Sequence, residues 1–130
     1  MPNGFPSREQ IDRFLVDEID SVPQLEALLL IWRTRPCQWS STEIAEELYI
    51  SSESAASELD HLLHHGLLTP SSDRPNYYLL NLEPENRQQL LASLEELYRR
   101  ELVRISNLIH AKAPRSMRDF ASAFRFKKEE

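Results

Sequence analysis

Residues 39–68 read WSSTEIAEELYISSESAASELDHLLHHGLL and contain two amphipathic helical patterns separated by a short turn. In TEIAEEL the apolar residues recur on one helical face and the glutamates occupy the other. Ser41 or Thr42, at the start of this pattern, is a suitable N-cap residue. The pattern predicts a short helix that ends at a turn at residues 50–51.

The second helical pattern starts after two serines, at residues 51–52. Its apolar residues recur at steps of three and four and form one core stripe: Ala55, Leu59, Leu62 and Leu63. Gly66 follows the stripe, and glycine is the usual residue at the left-handed position that ends a helix. Residues 39–68 therefore predict a helix, a turn and a second helix.

Two more helices and a short strand are predicted before this motif. The first helix runs from Arg8 to Ile19, where Ser7 and Gln10 have the spacing of a capping box. The second lies in SVPQLEALLLIWRTRP, whose leucines and tryptophan recur at helical spacing until a proline ends the pattern. This second helix is the most apolar and should be the most buried. The segment PCQWSS then predicts a short strand.

The residues after the motif predict a hairpin and one long helix. In LLTPSSDRPNYYLLNL two short apolar runs flank a cluster of Pro, Ser, Asp and Asn, which is typical of a β-hairpin. No proline or glycine occurs from Glu85 to His110, and apolar residues return at steps of three and four. This pattern predicts a helix of roughly 40 Å. Pro114 interrupts it.

This order of elements resembles the winged helix-turn-helix proteins of the MarR/ArsR/PadR-like kind, bacterial regulators in which a wing flanks the reading helix and terminal helices form the dimer. The resemblance covers Leu25 to Leu82, about 58 of the 130 residues, and rests on the motif above with the wing YYLLNL. The fold class expected is mainly α with a small β-hairpin wing. We divide the chain into a winged helix-turn-helix domain at 1–82, a long helix at 83–112 and a basic amphipathic tail at 113–130. The tail sequence APRSMRDFASAFRFKK resembles the ending of uncharacterised bacterial winged-helix proteins.

The resemblance implies that the second motif helix enters the DNA major groove, where its first residues face base edges. At the matching positions stand Ser52, Ser54, Ser57 and His61, with Arg74 in the wing as a phosphate contact. Serine hydroxyls can hydrogen-bond to almost any base. The implied function is that of a transcription regulator that binds DNA as a homodimer.

The charge of the motif opposes DNA binding. No Lys or Arg lies between Arg35 and Arg74, whereas seven carboxylates do: Glu43, Glu46, Glu47, Glu53, Glu58, Asp60 and Asp73. These carboxylates would approach phosphates without counter-charge. Arg33 and Arg35 are further candidates for phosphate contacts on the other side. The alternative function is a non-catalytic interaction adaptor that binds another protein through the acidic helix or the basic tail.

The overall composition sets further limits on the class of protein. The first 98 residues hold six Lys/Arg against seventeen Asp/Glu, whereas residues 99–128 hold nine Lys/Arg against two. No apolar run is long enough to span a bilayer. The start lacks the apolar core of a signal peptide, and Cys37 is the only cysteine, so a cytoplasmic protein is expected.

No pattern in the chain indicates catalysis, a metal or a cofactor. There is no Gly-rich phosphate loop, no nucleophile elbow and no HExxH. His61 and His65 have a spacing that can hold zinc, but histidines at a helix C-terminus more often complement its dipole. Cys37 is expected to pack as a small apolar residue. We expect no enzyme, no metal site and no cofactor.

The long helix predicts a dimer seam. Near-heptad steps link the residues expected to meet a second subunit: Leu91, Leu94, Tyr98, Leu102 and Ile105. In the alternative arrangement the first helix covers this face within one chain, through Ile11, Phe14 and Leu15. In the tail, Met117, Phe120 and Phe124 form an apolar stripe that we expect to dock on the domain or on the partner subunit.

Overall fold

The computed structural model describes residues 5–83 and 85–112, so the tail and its predicted docking lie outside the described residues. The described part consists of six helices and a two-stranded sheet. In chain order these elements are α1 (Arg8–Glu18), α2 (Val22–Arg33), α3 (Ser41–Leu48), α4 (Ser52–His64), β1 (Leu68–Pro70), β2 (Tyr78–Leu80), α5 (Arg87–Arg100) and α6 (Leu102–Ala111). The predicted class, mainly α with a small hairpin, is confirmed.

The helices α1 and α2 begin and end close to their predicted positions. Ser7 and Gln10 form the expected capping box, and Ser21 caps α2 by accepting a hydrogen bond from the backbone N–H of Gln24. Every residue of α2 from Leu25 to Trp32 is buried except Glu26. The expectation that α2 is the most buried helix is confirmed, because it contacts α3, α4, α5, α6 and β2.

The helix-turn-helix motif is formed by α3 and α4. The N-cap of α3 is Ser40, which forms a capping box with Glu43, so the predicted caps Ser41 and Thr42 are wrong by one or two residues. Ser51 caps α4 by accepting a hydrogen bond from the backbone N–H of Ser54. Both helices bury their apolar stripes against α2.

The predicted hairpin forms the wing. Its strands β1 and β2 are antiparallel, with Thr69 opposite Leu79. The short strand expected before α3 is reduced to an isolated bridge, in which Trp39 pairs with Tyr78 through two backbone hydrogen bonds of 2.9 Å. Gly66 has a φ of 74° where the chain leaves α4, in agreement with its expected left-handed conformation.

The prediction of one long C-terminal helix is wrong, because α5 ends at Arg100 and α6 begins at Leu102. Glu101, at the break, has non-helical backbone angles of −128° and 47°. The carboxylate of Glu101 accepts hydrogen bonds from Arg104 and from Arg8 of α1. The change of direction lets α6 pack against α1 and bury Ile105.

The apolar face of α5 and α6 is covered largely within the chain. Leu91, Leu94 and Ile105 are fully buried. On α1, Ile11 and Leu15 are buried in the same core. This corrects the proposed seam, since three of its five residues have no surface left to offer a second subunit. The alternative, coverage by the first helix, agrees with the structure.

Two seam residues retain exposed surface. Tyr98 is half-buried and donates its hydroxyl to Glu26 at 3.0 Å, while Leu102 is 50% exposed. Val103 beside it is also exposed.

None of the helices within 5–83 and 85–112 is long and apolar enough to cross a membrane.

Candidate nucleic-acid interface

The outward face of α4 carries the side chains that were predicted to face bases. Ala55, Leu59 and Leu62 are buried on its inner face. The four predicted side chains all belong to exposed residues: Ser52, Ser54, Ser57 and His61. All four side chains are therefore exposed over about three turns of α4, and the imidazole of His61 also lies 3.8 Å from Asp20 between α1 and α2.

A groove separates the middle of α4 from the wing. It encloses about 530 Å³ and is lined by Ser41, Ala56, Ser57, Leu59, Asp60, Asn76 and Tyr78. Ser57 thus lies next to wing residues, while Ser52 and Ser54 lie nearer the start of α4. The start of α3, the middle of α4 and the wing border the same groove.

The wing holds Arg74 in place by stacking. Its guanidinium lies 3.6 Å from the centre of the Tyr77 ring, and its backbone N–H donates to the hydroxyl of Ser71. That hydroxyl also donates to the carboxylate of Asp73, and together with Gln38 it lowers the pKa of Asp73. Arg74 is exposed and forms no ion pair with the other described residues. The charge of Arg74 also contributes to the lowered pKa of Asp73, although the two groups do not form an ion pair.

The two other candidate arginines differ from each other. Arg33 lies 3.1 Å from Glu95 of α5, which neutralises its charge and makes it a poor phosphate contact. Arg35 is exposed, stacks over Trp32 at 3.5 Å and donates to the carbonyl oxygen of Trp32. Of these two, only Arg35 remains a candidate, because no described ion pair involves it.

The carboxylates of the motif are mostly exposed. Glu46, Glu47 and Glu53 form no ion pair within the described part of the chain. Glu58 is half-buried, and burial raises its pKa above the ordinary value of 4.5. A hydrogen bond from Ser21 opposes that rise. DNA approaching the first turn of α4 would meet the exposed carboxyl group of Glu53.

The C-terminal half of α4 packs against the corner between α1 and α2. His65 lies 2.7 Å from Glu18, and His61 lies 3.8 Å from Asp20. Each histidine thus faces a carboxylate of this corner, which the sequence could not show because the partners are more than forty residues away. No cluster of three or more metal-ligating side chains is present among the described residues.

The same corner receives the end of α6. Lys112 donates to the backbone carbonyl oxygens of Leu15, Val16 and Ile19 at the end of α1, where helix carbonyls lack a full set of intrahelical partners. Its ammonium also lies 3.6 Å from Asp20. The end of α6 is therefore held beside the C-terminal half of α4.

Two residues of this region differ from what the sequence indicated. Cys37 is exposed, so the expectation that it packs as an apolar residue is wrong; it lies in the turn after α2, where its N–H donates to Thr34. Tyr49 was not recognised as a special residue. It lies between α3 and α4, is 93% exposed and has a φ of 58°.

No family model and no curated protein matches the sequence. The structure is similar to that of a MarR family protein from Bacillus stearothermophilus, with a TM-score of 0.51 and 16% identity over 94% of this chain and 82% of that one. It is also similar to a mutant of MepR from S. aureus bound to an oligodeoxyribonucleotide, with a TM-score of 0.52 and 14% identity over 93% and 86%.

At this level of identity the similarity establishes the fold. The described part of the chain has a MarR-like winged helix-turn-helix fold, in which α3 and α4 form the motif and β1 and β2 form the wing.

Proposed function

We propose that this protein is a transcription regulator that binds duplex DNA through α4 and the wing. The observation that carries the proposal is the set of exposed residues on α4, three serines and His61, beside a wing whose exposed Arg74 forms no ion pair within the described chain. The MepR mutant of similar fold is bound to an oligodeoxyribonucleotide, which supports this assignment.

The roles follow from the chemistry of each group. Ser52, Ser54, Ser57 and His61 would face base edges, since hydroxyl and imidazole groups can donate or accept hydrogen bonds there. Arg74 would contact a phosphate and contribute to the affinity for every sequence alike. In this proposal the protein is a non-enzymatic regulator in the bacterial cytoplasm.

We further propose that the regulator is a homodimer. Leu91, Leu94 and Ile105 are buried in the core of each chain. The contact between two subunits would therefore use the apolar side chains that are exposed near the break between α5 and α6. Leu102 and Val103 are the apolar side chains exposed at this break. Two copies would place two α4 helices on successive turns of the major groove.

Titration of a random-sequence duplex by fluorescence anisotropy tests the proposal. We expect binding at about 50 mM salt that weakens at about 200 mM, with a shallow slope because each subunit presents few free arginines. Absence of binding at the lower salt concentration would contradict the proposal.

One observation favours a second function. Glu46, Glu47 and Glu53 are exposed without an ionic partner in the described chain, and such a surface suits a basic protein rather than phosphates. The protein would then be a non-catalytic adaptor. The same titration separates the two, because an adaptor would not bind duplex even at low salt.

A further inference from the structure

Tyr49 is the C-cap residue of α3 and begins the turn of the helix-turn-helix motif. Its backbone is left-handed, with φ and ψ of 58° and 44°, and its side chain is 93% exposed. Its backbone N–H donates to the carbonyl oxygen of Ala45, as does the N–H of Ile50. The turn is therefore well bonded, and the phenol ring projects from it into solvent.

The left-handed backbone of Tyr49 closes α3, but neither a tyrosine at this position nor the exposure of its ring benefits folding. Residues with a Cβ rarely adopt a left-handed backbone, and a bulky residue there is an outlier, whereas glycine adopts it without strain. An aromatic side chain normally contributes to stability by burying its large apolar surface. At 93% exposure this ring buries almost none. A strained and exposed residue of this kind indicates a role in binding.

The position of Tyr49 relative to α4 identifies the partner. Tyr49 lies two residues before Ser51, the N-cap of α4, and so stands beside the helix end proposed to enter the major groove. The charged residues nearest to Tyr49 in sequence are Glu47 and Glu53, so no neighbouring cation is available to contact a phosphate. A phenol can donate a hydrogen bond to a phosphate oxygen without carrying a charge, and tyrosine is one of the residues that contact the DNA backbone.

We propose that Tyr49 is a DNA-backbone contact, whose O–H donates to a phosphate at the edge of the groove that α4 enters. This inference rests on the proposed function. This contact would explain how a motif without lysine or arginine binds the DNA backbone near α4, because a neutral hydrogen-bond donor takes the place of a cation. Such a contact releases no counterion and leaves the salt dependence of binding unchanged.

The test compares Tyr49→Phe, Tyr49→Gly and the matched control Tyr98→Phe in the full chain by anisotropy on duplex DNA. Tyr49→Phe removes only the hydroxyl, and we expect it to weaken binding about threefold to tenfold with the salt slope unchanged. Tyr49→Gly should weaken binding at least as much without lowering the melting temperature, since glycine relieves the strain. Tyr98→Phe keeps the ring of this seam residue and removes only a hydroxyl that bonds Glu26 of the same chain, so the mass in light scattering and the DNA affinity should both stay unchanged.

The outcomes distinguish this inference from the proposed function. If the wild-type chain binds duplex and Tyr49→Phe binds equally well, the assignment of Tyr49 is overturned and the function stands. If wild-type protein does not bind duplex at low salt, the function fails and the assignment fails with it. Weaker binding by Tyr49→Phe but not by Tyr98→Phe supports the assignment.

Discussion

Nδ1 of His65 lies 2.7 Å from Oε1 of Glu18, which joins the last turn of α4 to the last turn of α1. The side chain of His65 is 17% exposed. His64, the preceding residue, is 74% exposed and faces only Asp60 of its own helix. Two adjacent histidines thus differ in that only His65 connects the end of α4 to α1.

This difference predicts unequal effects of two matched substitutions. We expect His65→Ala to lower the free energy of unfolding by about 1 kcal/mol, because it removes a partly buried hydrogen bond between α4 and α1. His64→Ala should change it by less than about 0.5 kcal/mol, as is usual for surface positions. Urea unfolding at neutral pH measures both, and equal effects would show that the His65–Glu18 contact does not hold α4.

The raised pKa of Glu58 predicts that Glu58→Gln increases the stability of the fold in a pH-dependent way. Burial raises this pKa above its unfolded value, so the folded state favours the protonated carboxyl and loses stability as the pH rises through the folded pKa. Glutamine keeps the acceptor for Ser21 without the charge. We expect a higher melting temperature for the variant at pH 7 and no gain below the ordinary glutamate pKa of 4.5.

Glu53→Gln is the control for this prediction. Glu53 lies in the first turn of α4, where a negative charge favours the helix, so its neutralisation should not raise the melting temperature. A gain at pH 7 in Glu53→Gln as large as that in Glu58→Gln would mean that the general acidity of α4, and not the burial of Glu58, sets the effect.

Arg74→Ala should weaken DNA binding about equally for all sequences. A phosphate contact carries no base information, and its loss should reduce the salt slope by about one for each contact removed. Arg99→Ala is a suitable control, since Arg99 is exposed on α5 and lies 3.8 Å from Glu95. Anisotropy on two unrelated duplexes measures the effect, and a loss confined to one of them would assign Arg74 to base recognition.

Leu94→Asp and Leu102→Asp should separate folding from dimerisation. Leu94 is fully buried, so a carboxylate there should cost about 4 kcal/mol or more and unfold the chain. Leu102 is 50% exposed, and aspartate there should leave the circular dichroism spectrum unchanged while weakening a dimer. Light scattering should give twice 15.2 kDa for the wild type and the single-chain mass for Leu102→Asp. A single-chain mass for the wild type would contradict the homodimer.

The local features of this fold could be predicted because neighbouring residues encode them. The Ser7 and Gln10 capping box, the Ser51 cap and the left-handed Gly66 each depend on residues within one helical turn. The exposed positions of the four predicted side chains of α4 followed from helical periodicity, since the buried stripe leaves one face outward.

The break between α5 and α6 could not be predicted from periodicity. The apolar residues continue at steps of three and four across Glu101, and no proline or glycine marks the break. What bends the chain is the burial of Ile105 and Ile109 in the core that α1 helps to form, together with hydrogen bonds from Arg8 and Arg104 to Glu101. Such burial outweighs the cost of interrupting a helix.

The sequence by itself determined the helix-turn-helix motif, the wing and the acidic character of α3 and α4, because helix periods, caps and charges belong to short stretches of chain. The tertiary structure decided which charges and surfaces remain free. It pairs Arg33 with Glu95 and His65 with Glu18, covers Leu94, and leaves Arg74 and Tyr49 exposed. These outcomes depend on residues that lie far apart in sequence, and only the packing of α1, α2 and α5 around the motif brings them into contact.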